Sequence, residues 1–269
     1  MSSKKITILV PNYKTLDITK ICLRLLHKFT DEKIANVIVI DNNSDDDSVA
    51  YLRTLKWITL IERQGDPQET GVQSHSRALD LALNQVNTPF VLSIHTDTFV
   101  KSNQWLDILL AEFDSDLVAG VGSWKLESKN WLQKLGIRFE QSIKYVLHIL
   151  FNYQRYNKNR INKTTQYLRS HCAIYRTDVI RKLGTSFSDG NDTAGRVMHH
   201  KMIAAGYQMK FLPSHILGRY LDHLNHATSI FNPELRRHGK TSAKERERIK
   251  KMLRGIDAEQ ILADDSLDQ

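Results

Sequence analysis

The first 121 residues repeat one pattern that leaves few folds open: a short run of apolar, mostly β-branched residues, then a helix-length amphipathic stretch. The apolar runs are 6–10, 37–40, 58–61, 90–94 and 117–121, and the intervening stretches are 16–29, 46–55, 71–86 and 103–113. Strands this continuously apolar are buried on both faces, and a helix after each strand supplies the cover. The expectation is an α/β fold with a mostly parallel central sheet flanked by helices. Right-handed crossovers then bring the C-terminal ends of the strands to one edge, where open α/β sheets bind ligands.

Polar residues follow three of these runs: Asn12-Tyr13, Asp41-Asn42-Asn43-Ser44 and His95-Thr96-Asp97. All three are expected to meet in one crevice. A carboxylate at the position of Asp41 can accept the imide N–H of uracil or thymine; the same Asp-Asn-Asn-Ser run also suits a turn and helix cap. A carboxylate at Asp97 can hold Mg2+ or Mn2+ against a diphosphate, or cap the next helix. Further on, Asp189-Gly-Asn-Asp192 precedes a predicted helix over 193–205. One of its carboxylates can take a proton from an attacking hydroxyl, or serve as an acidic helix cap. His223-Leu-Asn-His226 offers an imidazole to the metal shell, whereas His199-His200 read as structural or solvent-facing.

Taken in order, these pieces resemble the family 2 inverting glycosyltransferases of GT-A fold, in particular rhamnosyl- and N-acetylglucosaminyl-type transferases. The resemblance covers about residues 4–230 and rests on Ile8-Leu-Val-Pro-Asn-Tyr13, Val39-Ile-Asp-Asn-Asn-Ser44, Phe90-Val-Leu-Ser-Ile-His-Thr-Asp97, and Asn191-Asp192 leading to Ala205-Gly-Tyr207. It implies a nucleoside-diphosphate sugar donor, UDP- or dTDP-linked, held by Pro11, Asn12, Tyr13, Asp41 and Asn43 and onward by Arg77, His95, Thr96 and Asp97. Asp97 matches the last Asp of the family's D-x-D motif and binds the metal. His223 matches a C-terminal histidine that completes the metal shell, with His226 the alternative, and Asp192 matches the catalytic base. The implied reaction is a single displacement with inversion onto a saccharide or lipid-linked acceptor, in polysaccharide or glycoconjugate synthesis. Three departures are visible: His95 replaces the first Asp of D-x-D, Asn191 replaces the Glu before the base, and Ser76-Arg-Ala-Leu-Asp80 replaces an Arg-Asn-x-Gly pattern.

After residue 121 the alternation stops. A long helix over 131–153 is expected, then a strand over 166–176, helices over 179–183 and 193–205, a strand over 208–212 and a charged helix over 243–254. The division expected is 1–230 for the transferase (1–121 nucleotide-binding, 122–230 acceptor-binding with its helices) and 231–269 for a basic helix and acidic tail. The net charge of +8 sits in two places. Residues 129–163 carry eight bases against one acid, residues 234–254 nine against three, while 257–269 carry five acids and no base. Such basic segments fit nucleic acid, an anionic membrane surface or a phosphate-bearing substrate. A nucleic-acid-binding module would leave the strand-end clusters unexplained, so no nucleic-acid partner is expected. A nucleotidyltransferase would need a glycine-rich phosphate loop early in the chain, and Val10-Pro-Asn-Tyr-Lys-Thr15 has none. With no apolar stretch long enough to span a bilayer and only Cys22 and Cys172, a cytoplasmic protein is expected, peripheral at the inner membrane face.

Overall fold

The computed structural model describes residues 4–124, 126, 166–225 and 243–269. Its centre is a seven-stranded sheet in the order β3-β2-β1-β4-β7-β6-β8. The strands are β1 (Ile6–Asn12), β2 (Ala35–Asp41), β3 (Ile58–Glu62), β4 (Phe90–Ile94), β6 (Val118–Gly122), β7 (Cys172–Arg176) and β8 (Gln208–Phe211). β1 pairs in parallel with β2 and β4, β2 with β3, and β6 with β8; β7 alone runs against both its neighbours. A mostly parallel sheet is what the apolar runs required.

Side-chain alternation along β1 divides the core. Ile6, Ile8 and Val10 face one cluster, together with Leu23 and Leu26 of α1 (Leu16–Phe29), Leu52 of α2 (Asp47–Thr54) and Trp105 of α4 (Trp105–Leu110). Leu9 faces the other, with Ala78 and Leu79 of α3 (Gly71–Leu83), Ile180 of α5 (Thr177–Lys182) and Met198 of α6 (Arg196–Ala204). Each fully buried Ile or Leu contributes about 1.5–3 kcal/mol, so both helical layers are held by burial. α3 also starts on a reciprocal cap: the Thr70 hydroxyl accepts from Gln73 N and the Gln73 side chain accepts from Thr70 N.

Five features depart from the expected element map. The strand predicted over 166–176 is confined to Cys172–Arg176, because residues 166–170 turn along the sheet edge, where Arg169 N donates to Ser123 O. The helix predicted from 193 begins at Arg196, after Gly195 takes a left-handed φ of 74°. Two short strands, β5 (Thr98–Val100) and β9 (Leu221–His223), form a separate antiparallel pair. The one-turn α7 (Ser214–Leu217) precedes β9. Finally, the charged helix α8 (Ala243–Gly255) is followed by α9 (Ala258–Ala263), and both pack on α1: Ile249 and Ala258 join Ile18, Ile21, Cys22 and Leu25 in a third cluster. The helix expected over 131–153, and with it the basic 129–163 segment, lies outside the described residues, as does the boundary expected at residue 230.

Candidate metal and donor site

Asn12 ends β1, and its side chain is fully enclosed. Its Nδ2 donates to Asp41 Oδ1 at 2.8 Å and lies near Ser44 Oγ (3.2 Å) and Ser48 Oγ (3.0 Å), while its Oδ1 accepts from Thr19 Oγ1 at 2.7 Å. Asp41, 3% exposed, also accepts from Ser44 Oγ (2.5 Å) and Ser44 N (3.1 Å). This network sets the loop between β2 and α2, while the cap of α2 comes from Asp46, which accepts from Ser48 N. Pro11 is buried in β1, Tyr13 is half-buried with the Lys14 ammonium 5.6 Å from its ring centroid, and Asn43 is exposed at φ 61°.

α3 lies across the same edge and joins it to the next cluster. Asn42 Nδ2 donates to Ser74 Oγ (2.7 Å), and Arg63 Nη1 donates to Asn42 Oδ1 (2.7 Å). Arg77 is on the exposed flank of α3, paired with Glu69 at 2.8 Å, and Glu69 also pairs with Arg63. Arg63, not singled out in the sequence, is thus the guanidinium bonded directly to the Asp41–Ser44 loop. It follows β3 with no distinguishing neighbour, so only the fold reveals it.

At the next residue of α3, His75, the second cluster begins. Because β7 runs antiparallel to β4, Cys172 sits opposite Ile94, and the residues before β7 meet those after β4. His95 Nε2 lies 2.9 Å from Ser170 Oγ, which is 3.3 Å from His75 Nε2 on α3. β6 ends beside them, placing Ser123 Oγ 2.9 Å from His171 Nε2. At Gly122 any Cβ would fall 2.8 Å from Cys172 O, so only glycine lets β6 approach β7 this closely. The β5–β9 pair, with Thr98 opposite His223 and Leu224 N donating to Asp97 O, brings His223 to the same place. His223 Nε2 is 3.2 Å from Asp97 Oδ1, and His95 Nδ1 is 3.8 Å from it. His171 stacks on His223 with ring centroids 4.7 Å apart. Thr96, buried, spans His95 and Asp97.

Burial keeps His75, His95 and His171 uncharged. Burial, then repulsion from the surrounding imidazoles, outweighs the attraction of Asp97 and holds His95 well below the usual histidine range. Burial lowers His75 to about 4; burial, then the proximity of His223 and Arg169, lowers His171 to about 3. Neutral imidazoles are metal ligands. His95, Asp97 and His223 each offer an atom, all within 4.8 Å of one another, and one carboxylate with two imidazoles is a donor set that fits a divalent cation. Two of these three are the metal ligands expected from the sequence. His226 lies outside the described residues. His199 is buried, with Leu168 N donating to its Nδ1, which is a structural role.

The 189–192 segment divides its acids. Asp189 is engaged by Thr185, Ser186 and Lys201, whereas Asp192 is 39% exposed and bonded to Arg196 Nη1 at 3.1 Å. The preceding loop hangs from α3: Asp80 accepts from Phe187 N (2.7 Å) and Ser188 N (3.1 Å). Arg196 also lies 6.0 Å from the Tyr167 ring, and Arg169 stacks over both Tyr167 and Trp124. Trp124 follows Ser123 and Arg169 precedes Ser170, so a continuous run of contacts leads from Asp192 to the His–Asp cluster. Neither Trp124 nor Arg169 carries a sequence signal of its own.

A buried Asn12–Asp41–Ser44 network and a His–Asp–His cluster lie along the C-terminal edge of a mostly parallel sheet of GT-A type. The family model for glycosyl transferase family 2 matches residues 7–184, and the chain belongs to that family of glycosyltransferases. Among curated proteins, none gives a significant sequence match. Among solved structures, the fold is similar to that of the mannosyltransferase PcManGT from Pyrobaculum calidifontis in complex with GDP-Man and Mn2+, at 17% identity and TM-score 0.53, covering 96% of this chain and 72% of that one. It is similar also to glucosyl-3-phosphoglycerate synthase from Mycobacterium tuberculosis with Mn2+, UDP and phosphoglyceric acid, at 14% identity and TM-score 0.53, covering 94% and 78%. TarS from S. aureus aligns at 16% identity and TM-score 0.51, covering 74% and 55%.

Proposed function

We propose that the chain transfers a sugar, with inversion, from a UDP- or dTDP-linked donor to a saccharide or lipid-linked acceptor in polysaccharide or glycoconjugate synthesis. The observation that carries this reading is that α3 bonds both to the Asp41–Ser44 loop, through Ser74, and to the His–Asp cluster, through His75 and Ser170. A base and ribose bound beside Asn12, Tyr13, Asp41 and Asn43 would then direct the diphosphate toward Asp97. Asp97 and His223 would hold a divalent cation, Mg2+ or Mn2+, which when bound would supply positive charge against the diphosphate leaving group.

The remaining steps fall to side chains. Asp192 accepts the proton of the acceptor hydroxyl as its oxygen bonds to the anomeric carbon; the bond to the diphosphate breaks on the opposite face and its electron pair leaves with the phosphate. Arg196 Nη1 and Thr193 N donate to the two oxygens of that carboxylate and orient it, and each oxygen keeps a further lone pair for the acceptor hydroxyl. Trp124, Tyr167 and Arg169 supply an aromatic and cationic shelf suited to a sugar ring. Arg77 is the phosphate-side residue of this reading, reaching the donor once released from Glu69. The basic 129–163 run supports a peripheral position at an anionic membrane. Asp192→Asn tests the assignment: transfer falls about 100-fold or more, as for loss of a general base, while UDP affinity in the presence of Mn2+ is retained. Unchanged turnover in that variant refutes Asp192 as the base.

A further inference from the structure

The His95 side chain is fixed in a way that a nucleoside contact does not require. Its Nε2 is 2.9 Å from Ser170 Oγ, and that hydroxyl is 3.3 Å from His75 Nε2. Its Nδ1 faces Asp97 Oδ1 at 3.8 Å, too far for a hydrogen bond. A neutral imidazole carries one N–H, and the geometry gives that proton an acceptor only at Nε2, on Ser170. The Nδ1 lone pair is then aimed at a carboxylate oxygen. Two electron-pair donors facing each other across 3.8 Å, with His223 Nε2 3.2 Å from the same oxygen, are reconciled by a cation shared among them. A hydrogen bond on the far ring nitrogen is also how metal-binding histidines are held in place.

We infer that His95 Nδ1 is a third protein ligand to the cation, and that this two-imidazole, one-carboxylate centre selects a transition-metal dication over Mg2+. The inference rests on the reading of Asp97 and His223 as ligands. Imidazole suits Zn2+ and the other late first-row dications best; Mn2+ stands lowest in that series but still belongs to it, whereas Mg2+ demands oxygen ligands in near-ideal octahedral geometry. Replacing the first Asp of a D-x-D motif by histidine removes a hard oxygen and a negative charge and adds a borderline nitrogen. Ser170 and His75 are positioning residues in this scheme: they hold the tautomer and the ring without touching the ion. His171, bonded to Ser123 and stacked on His223, braces the opposite ligand.

The test uses the full chain with Mn2+ and Mg2+ as probes. Electron spin-echo spectroscopy of bound Mn2+ detects directly coordinated imidazole nitrogen; two imidazoles are expected in the wild type and one in His95→Ala. In titrations, His95→Ala weakens Mn2+ by about tenfold or more, and Ser170→Ala by about tenfold, the usual effect of removing a group that orients a ligand. His95→Asp narrows the Mn2+ over Mg2+ preference. A single coordinated imidazole in the wild type overturns the inference without recourse to any variant. So does unchanged Mn2+ affinity in a folded His95→Ala protein whose Asp97→Ala counterpart has lost the ion; in that event the broader metal reading stands. If Asp97→Ala also binds Mn2+ as the wild type does, both fall together.

Discussion

Arg24 should be among the costliest single residues to remove from this protein. It lies on α1, the helix that also supplies Thr19 to Asn12 and Cys22 to the backbone of His95. Its guanidinium is 1% exposed and makes five hydrogen bonds: Nε to Asp268 Oδ1 (2.9 Å), Nη1 to the carbonyls of Ile261 and Leu262 (2.8 Å each), and Nη2 to Asp265 and Asp268 (2.5 Å each). Removing one partner of a buried ion pair costs about 3–5 kcal/mol, because the other is left without compensation. For Arg24→Ala the abandoned groups are two helix-terminal carbonyls and Asp268, itself only 20% exposed and bonded by Tyr51 Oη at 2.7 Å. Asp265 belongs to a different regime: at 86% exposed its ion pair is worth under about 1 kcal/mol. The expected order of destabilisation is therefore Arg24→Ala, then Asp268→Ala, then Asp265→Ala. In a protein of this size about 4 kcal/mol lowers the melting temperature by roughly 8–16 °C, readable by circular dichroism. Equal effects of Arg24→Ala and Asp265→Ala, or a loss below about 1 kcal/mol for Arg24→Ala, would refute the reasoning.

Other outcomes follow from the same geometry. Asp80→Ala frees the amides of Phe187 and Ser188, so kcat falls more than UDP affinity, with a stability loss of about 1.5–3 kcal/mol for bonds to a charged group; kinetics and chemical denaturation check both parts. His171 and His75 have folded pKa values of about 3 and about 4, below the ordinary 6.5. Each is neutral in the fold while the unfolded chain takes up a proton, so stability of the metal-free protein declines as pH falls below 6.5 and keeps declining to about 4. The slope approaches about 1.4 kcal/mol per pH unit for each group; a flat urea midpoint between pH 7 and 4.5 contradicts this. Full-length protein should float with vesicles containing anionic lipid at low salt and release at high salt; indifference to lipid charge would end the membrane proposal.

The strand–helix alternation foretold the parallel sheet because burial on both faces leaves a continuous apolar signature, and α1 was legible to the residue. β5 and β9 were not: at three residues each they hold too few positions for a period to show. That pair nevertheless delivers His223 to Asp97, so the His–Asp cluster could be guessed from motif order but not from local pattern. His75, Ser170 and His171 escaped for a related reason, since isolated histidines and serines carry no periodic signal and converge only once β7 is reversed beside β4. The clamp of Arg24 on the acidic tail joins residues 241 and 244 positions apart. A charge count shows that the tail is acidic, and only packing shows where it binds.

The central claim is that a carboxylate and imidazoles at one sheet edge hold a cation that grips a nucleoside diphosphate. Calorimetric titration of UDP and dTDP into wild-type and Asp97→Ala protein, with Mn2+ and then with EDTA, measures this directly. The account predicts binding of at least one of these nucleotides that requires Mn2+ and is lost in Asp97→Ala despite an intact fold. Affinity unchanged by EDTA, or retained by the Asp97→Ala protein, would contradict it.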